Sequence, residues 1–367
     1  MIEYQQLKRT ETGEFLVSHS HLNLLDPEIG GHPKIFYKAL LDVEESVSKP
    51  SFEKGNLFHL WIEQQSAFVI EEQNKPTDQP ARLAEAFNNL YTKEQWKNDS
   101  VFLEMASHNT TIDISENVIY QDLFKTLVGR PHTSREEFAL FVASIRYARK
   151  VVEFNKNLKE ITFLEKFKDV VPYVQFLQRA DGKIILTAQM KETLSNCVDA
   201  VKEHPFASKL TWGVLGETEQ EYFWTRNYDG FAMYRKGKID KITVDERTKT
   251  LIITDYKTTS YPISKFDDKP DGPYHKYKLG RQLLNYSQGF FANHPEYNSG
   301  DWTVHLFNIV VSVIDPYPVM VYKTTNYTYK DNLMLLERRA VWHIKNNVWN
   351  LTREEYENKD HQFIQLD

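Results

Sequence analysis

The chain has 367 residues, 41% of them hydrophobic and 26% charged, with 22 Phe, 20 Tyr and 7 Trp against only 14 Gly and 14 Pro. That composition excludes fibrous, collagenous and wholly disordered chains and suits one large domain or two lobes with a sizeable core. A net charge of −6 argues against a protein that coats nucleic acid by bulk charge, and a single cysteine, Cys197, excludes an internal disulfide and a four-thiolate zinc or iron–sulfur site. Any metal must therefore be held by Asp, Glu and His.

The start, Met1-Ile-Glu-Tyr-Gln-Gln-Leu-Lys-Arg, carries charge where a signal peptide needs an apolar run, and no later segment offers the roughly 20 apolar residues of a membrane span. The expectation is a cytoplasmic protein with no membrane partner. In Leu16-Val-Ser-His-Ser-His-Leu-Asn-Leu-Leu, Ser18 or Ser20 is placed to cap a short helix before Pro33. From Ser51 the spacing of Leu57, Leu60, Trp61 and Phe68 predicts an amphipathic helix, on which His59 and Glu63, four apart, share a face. A polar stretch, Glu71 to Pro80, then reads as a loop.

Helical spacing dominates the next region, over 82–96, 135–150 and 187–203, the last stopped at His204-Pro205. Beyond Thr211 the period becomes that of strands. Residues 221–225 and 230–235 flank the turn sequence Asn227-Tyr-Asp-Gly, and residues 237–244 and 250–256 flank Asp245-Glu-Arg-Thr-Lys, which predicts two hairpins. A helix over 277–293, strands over 302–314 and 319–324, and a closing helix over 330–346 complete an α/β pattern. These readings divide the chain at 1–70, a mostly helical lobe or insertion at 71–208, and an α/β region at 209–367.

Charge is unevenly distributed: residues 226–281 hold 13 Lys/Arg and 8 Asp/Glu, a local +5 within an acidic chain. The same stretch contains Gly237-Lys-Ile-Asp and Asp255-Tyr-Lys. Antiparallel strands joined by a short turn bring Asp240 near Asp255, and alternation along the second strand puts Asp255 and Lys257 on one face. Two carboxylates and an ammonium group thus converge between strands otherwise apolar enough for a core. Asp-x-Lys alone is common in charged chains, and His59 alone reads equally well as a core histidine. Their companions add weight: Gln282 and Tyr286 lie four apart on the helix that follows.

Taken in order, Gly55/His59, Gly237/Asp240, Asp255/Lys257 and Gln282/Tyr286 resemble the RecB-type branch of the PD-(D/E)XK nuclease superfamily. The stretch 187–210 is similar to the segment before the active site in RecE-type (exonuclease VIII-like) enzymes of phages and prophages. The resemblance covers residues 18–68 and 187–314 and leaves the helical middle outside it. It implies a restriction-endonuclease-like core, a mixed central sheet flanked by helices, with an inserted helical lobe, and a Mg²⁺- or Mn²⁺-dependent exonuclease acting on linear DNA in recombination or DNA metabolism. His59, Asp240, Asp255 and the backbone carbonyl of Tyr256 would hold the metal, because the middle residue of Asp-x-Lys is Tyr256 rather than an acid. Lys257 would polarise the attacking water, and Gln282 and Tyr286 would steady the phosphate or Lys257, while Glu63 reads either as a support for His59 or as a solvated residue. Lys276, Lys278 and Arg281 are the expected phosphate contacts. By analogy alone, a homo-oligomeric ring and a single-strand annealing protein or helicase are the expected partners. Two other readings stay open: a catalytically silent DNA-binding or assembly subunit, and a nuclease acting on single strands, flaps or RNA.

Overall fold

A computed structural model describes residues 9–10, 13–41, 50–63, 67–70, 75–93, 100, 102–104, 114–132, 134–269, 271–325 and 329–358. The contacts divide the chain into two compact units, residues 1–63 with 193–367, and residues 64–192. The lobe thus begins and ends earlier than the sequence boundaries of 71 and 208. Part of the reason is Phe68, expected on the apolar stripe of the preceding helix. That helix runs Pro50–Glu63, and Phe68 opens a short strand, Phe68–Ile70, paired in parallel with Ile184–Leu186 inside the second unit.

The first unit is a mixed α/β fold built on a central mixed sheet. In chain order its strands are β1 (Leu16–Val17), β4 (Glu217–Tyr228), β5 (Phe231–Asp245), β6 (Thr250–Thr259), β7 (Thr303–Ser312) and β8 (Val319–Thr324), with the two strands of the other unit numbered β2 and β3 between them. The sheet runs β1-β5-β6-β7-β8, with β4 on β5. Asp229 and Gly230 take φ of 48° and 78°, the paired left-handed conformation of a tight hairpin turn, and this sets Tyr228 opposite Phe231. Where the sequence suggested two strands parted near Lys236, a single strand of 15 residues runs through. Gly237 does not break it. A Cβ there would lie 3.3 Å from both Trp224 and Tyr286, so glycine lets those rings close over the strand.

β5 is where the sheet opens. One edge pairs antiparallel with β4 along 231–242. The other edge pairs with β1 at Tyr234 and Arg235 and with β6 only from Lys241 to Asp245. β6 continues beyond Thr254 on β7 instead, in parallel register to Thr259. The two strands therefore part just where Asp240 and Asp255 stand.

Apolar side chains pack against this sheet in separate clusters. Val17, Leu22, Phe36, Met233, Leu284, Leu333 and Leu336 form one cluster, with the helices Pro33–Leu41 and Lys330–Asn346 contributing. Tyr222, Trp224, Ile239, Ile253, Leu283, Phe290 and Leu306 form another beneath the helix Leu279–Asn293. Of the aromatics of the first hairpin, Tyr222 and Trp224 are buried and serve packing, whereas Phe223 is exposed.

Helices Gln79–Tyr91, Ile114–Val128, Arg135–Val152, Glu160–Lys168 and Val171–Arg179 make up most of the second unit. Its core includes Phe87, Phe124, Phe141, Phe163 and Phe167, all essentially buried, with Phe87 meeting both Phe141 and Phe167 edge to face. The expected helix at 82–96 ends at Tyr91, and residues 94–96 lie outside the described residues, as do 71–74 of the expected loop.

Candidate metal centre

The fork between β5 and β6 is stabilised by a side chain acting in place of the main-chain ladder. Asp240 Oδ2 accepts the backbone N–H of Tyr256 at 2.8 Å. The carbonyl of the same Tyr256 accepts a hydrogen bond from His59 Nε2 at 2.7 Å, and the other ring nitrogen, Nδ1, lies 3.4 Å from Asp240 Oδ2. His59 comes from the helix Pro50–Glu63. One turn earlier on that helix, Gly55 lies against β6, where a Cβ would sit 3.5 Å from the Thr258 hydroxyl. The Gly-x-x-x-His spacing thus seats a helix turn on β6 and carries the imidazole to the fork.

On β6, Asp255 is fully buried and Lys257 is partly open to solvent. Lys257 Nζ lies 2.7 Å from the Asp255 carboxylate, and Asn308 Nδ2 donates to Asp255 Oδ2 at 2.8 Å. His59, Asp240, the Tyr256 carbonyl, Asp255 and Lys257 are therefore brought together, though the sequence separates them by up to 198 positions, from 59 to 257.

Electrostatics tie the group into one unit. Burial alone would lower the His59 imidazole, but the Asp240 carboxylate outweighs it and holds the ring above its ordinary pKa. Burial would raise Asp240, and His59 beside it prevails in the other direction and holds the carboxyl below its ordinary value. For Asp255 burial wins, and its pKa is raised despite Lys257. Burial would depress Lys257, yet Asp255 and then Asp240 keep the ammonium above its usual value.

Glu219 is a member of the site that the motifs did not mark. Thr218 pairs with Lys241 and Gln220 with Ile239, so Glu219 stands across from Asp240, with φ at 54°. A non-glycine residue in that region carries strain that its surroundings must hold. Ligand atoms of His59, Glu219 and Asp240 lie within 4.8 Å of one another. Donors sharing one small divalent ion sit about 3 to 4.5 Å apart, so the set of one imidazole and two carboxylates fits such an ion. Glu219 also forms an ion pair with Lys238. The signal that would have found it is the hairpin turn: counting back from Asp229-Gly230 places 219 against 240.

Glu63 lies near this acidic group rather than being held by His59 alone. Burial, then the charge of Glu219, pushes its carboxyl up to about 7, opposed by a hydrogen bond with Thr218. Gln282 and Tyr286 share a face of the helix Leu279–Asn293, where Gln282 Nε2 and the Tyr286 hydroxyl meet at 2.5 Å.

The expected phosphate contacts divide. Lys276 is exposed, and Lys278 pairs with Glu28 at 2.7 Å. Arg281 is a correction: its side chain is fully buried, bonded at 2.6 Å to both Asp26 and Asn23 and also to Asn332. A guanidinium so enclosed ties the N-terminal segment to two helices and presents nothing to DNA. Arg235, Lys236 and Lys241 are buried too, as are Asp240 and Asp255, so the basic excess of 226–281 falls from +5 in the sequence to +3 among the residues that are not buried.

No protein-family model matches the sequence, and no curated protein matches it. Among solved structures the chain is similar to the crystal structure of SSO0001, at 16% identity over 54% of this chain and 74% of that one, with a TM-score of 0.25. It is also similar to a "Putative exonuclease" from Eubacterium rectale, at 13% identity over 81% of this chain and 94% of that one, with a TM-score of 0.32. Likenesses this distant say nothing about substrate. Among the described residues, no helix is long and apolar enough to cross a membrane.

Proposed function

We propose that the chain is a divalent-metal-dependent nuclease of the PD-(D/E)XK kind, a RecE-type exonuclease that hydrolyses phosphodiester bonds of linear DNA. The observation that carries this reading is the fork itself, in which His59, Asp240, the Tyr256 carbonyl and the Asp255–Lys257 pair meet where β5 and β6 part. A buried acidic pair with a lysine two residues on has no evident role in packing.

His59, Asp240, Asp255 and the Tyr256 carbonyl would hold Mg²⁺ or Mn²⁺, with Glu219 at hand. A bound ion of this class supplies charge stabilisation for the phosphate and makes a water more acidic. Lys257, kept protonated by Asp255, would donate to the attacking water and fix its line of approach to phosphorus. One P–O ester bond then breaks as the water oxygen bonds to phosphorus, a proton of that water passes to solvent, and the departing oxygen takes up a proton from solvent and leaves as a hydroxyl group. Gln282 and Tyr286 are neutral donors suited to steadying phosphate oxygens without competing for a cation.

The test is incubation with linear and circular duplex in Mg²⁺ or Mn²⁺, then with chelator. Loss of linear DNA alone, blocked by chelator, is the expected result. Cleavage of nothing would point to a silent binding subunit, and cleavage of single strands, flaps or RNA in place of duplex would reassign the substrate.

A further inference from the structure

One side chain beside the fork is out of keeping with its strand. Residues 306–311 of β7 read Leu-Phe-Asn-Ile-Val-Val and are all buried, with Asn308 fully so. An apolar residue would suit that position better on packing grounds alone. The parallel register sets Asn308 against Asp255, and its Nδ2 reaches Asp255 Oδ2 at 2.8 Å. The amide has one admissible orientation, because turning it over would aim its oxygen at a carboxylate. Its other end, Oδ1, is buried and has no hydrogen-bond partner among the described residues. The chain therefore keeps a half-satisfied amide in a core strand where it touches a residue of the fork.

We infer that Asn308 is a positioning residue for Asp255. Lys257 Nζ lies 2.7 Å from each oxygen of Asp255 while Asn308 holds Oδ2 from the neighbouring strand, so the group is gripped from two sides and its plane is fixed. Asn308 thereby keeps Asp255 in one orientation, as metal-ligating carboxylates are commonly held by an outer hydrogen bond. The inference rests on the nuclease reading above and adds to it a residue from a strand that no motif marks.

The experiment compares wild type with Asn308→Leu and Asn308→Ser, by calorimetric titration of Mn²⁺, by the Mn²⁺ dependence of DNA cleavage, and by thermal unfolding. Leu matches the volume and suits the strand. Ser is the fallback if Leu does not fold, and its hydroxyl is too short to span the gap. The expected result is Mn²⁺ binding weakened about tenfold or more in each folded variant, with a matching rise in the Mn²⁺ needed for half-maximal cleavage. The Leu variant should unfold at a midpoint no lower than wild type. Unchanged Mn²⁺ affinity in a folded variant, whatever its midpoint, would overturn the inference and leave Asn308 a structural residue. A wild-type protein that neither binds Mn²⁺ nor cleaves would overturn the nuclease reading itself, and this inference with it.

Discussion

Asp240 and Tyr256 are joined side chain to main chain: the carboxylate of one accepts the backbone N–H of the other at 2.8 Å, at the point where their strands separate. The bond gives β5 and β6 a defined place to part, and it turns the Tyr256 carbonyl toward His59. Asp240→Asn keeps an oxygen acceptor for that N–H, so the fold should persist. What it removes is the charge beside His59. Cleavage should fall by at least about a hundredfold at an unchanged thermal midpoint, and Asp255→Asn and Lys257→Ala should lose cleavage to a similar extent. Near-normal turnover by either Asn variant would remove the two-carboxylate site from consideration.

Arg281 offers a contrast, because its partners make it structural. Asp26 is as buried as the guanidinium it pairs with. Arg281→Met should leave that carboxylate without a counter-charge and cost about 3–5 kcal/mol, read from urea unfolding. Adding Asp26→Asn should recover part of the loss. A stability loss of less than about 1 kcal/mol in the single variant would show that the pair does not anchor the N-terminal segment.

The difference between these residues explains what the sequence made legible. Asp240, Asp255 and Lys257 belong to hairpins closed by short turns, where register follows from counting, and the helices at 279–293 and 330–346 declare themselves by spacing. Arg281 reads as a surface base because its partner Asp26 is 255 positions away, and nothing local announces the pairing. Phe68 reads as helical because the strand that claims it lies beyond a whole lobe, at Ile184. Glu219 could have been found by hairpin register, but a left-handed φ at an acid has no sequence signature. In the sequence Asn308 is one polar residue within an apolar run, and only the parallel pairing with Asp255 gives it meaning.

In the second unit the acid response should centre on Glu160. It accepts from the Tyr120 hydroxyl at 2.5 Å, from Arg146 at 2.7 Å and from Arg149 at 2.9 Å. Burial pushes its carboxyl up, but these donors together outweigh burial and hold it below its ordinary 4.5. A carboxyl with a depressed folded pKa adds stability that is fully present above about 4.5 and is lost as pH falls through the lower folded value. Wild type should therefore exceed Glu160→Gln in thermal midpoint at pH 7, with the gap closing below pH 4.5. A gap that stays constant down to pH 3 would mean that the carboxylate charge contributes nothing.

How an acidic chain would hold DNA is testable at Lys276 and Lys278, which remain as candidates once Arg281 is removed. Lys276 is exposed, and Lys278, its side chain 22% exposed, pairs with Glu28, whose side chain is 62% exposed. Such a surface pair is worth little and a phosphate can displace it. Each phosphate neutralised on duplex DNA releases counterions, so log affinity should fall with log salt by roughly 0.9 per contact. Replacing both lysines by Ala should flatten that slope by up to about two units and leave Mn²⁺ affinity unchanged, since neither residue is among those gathered at the fork. The measurement is a salt titration of duplex binding by Lys257→Ala protein in Ca²⁺, with and without the double substitution. An unchanged slope would place the phosphate contacts on another face of the chain, because Lys276 and Lys278 would then be neutralising nothing.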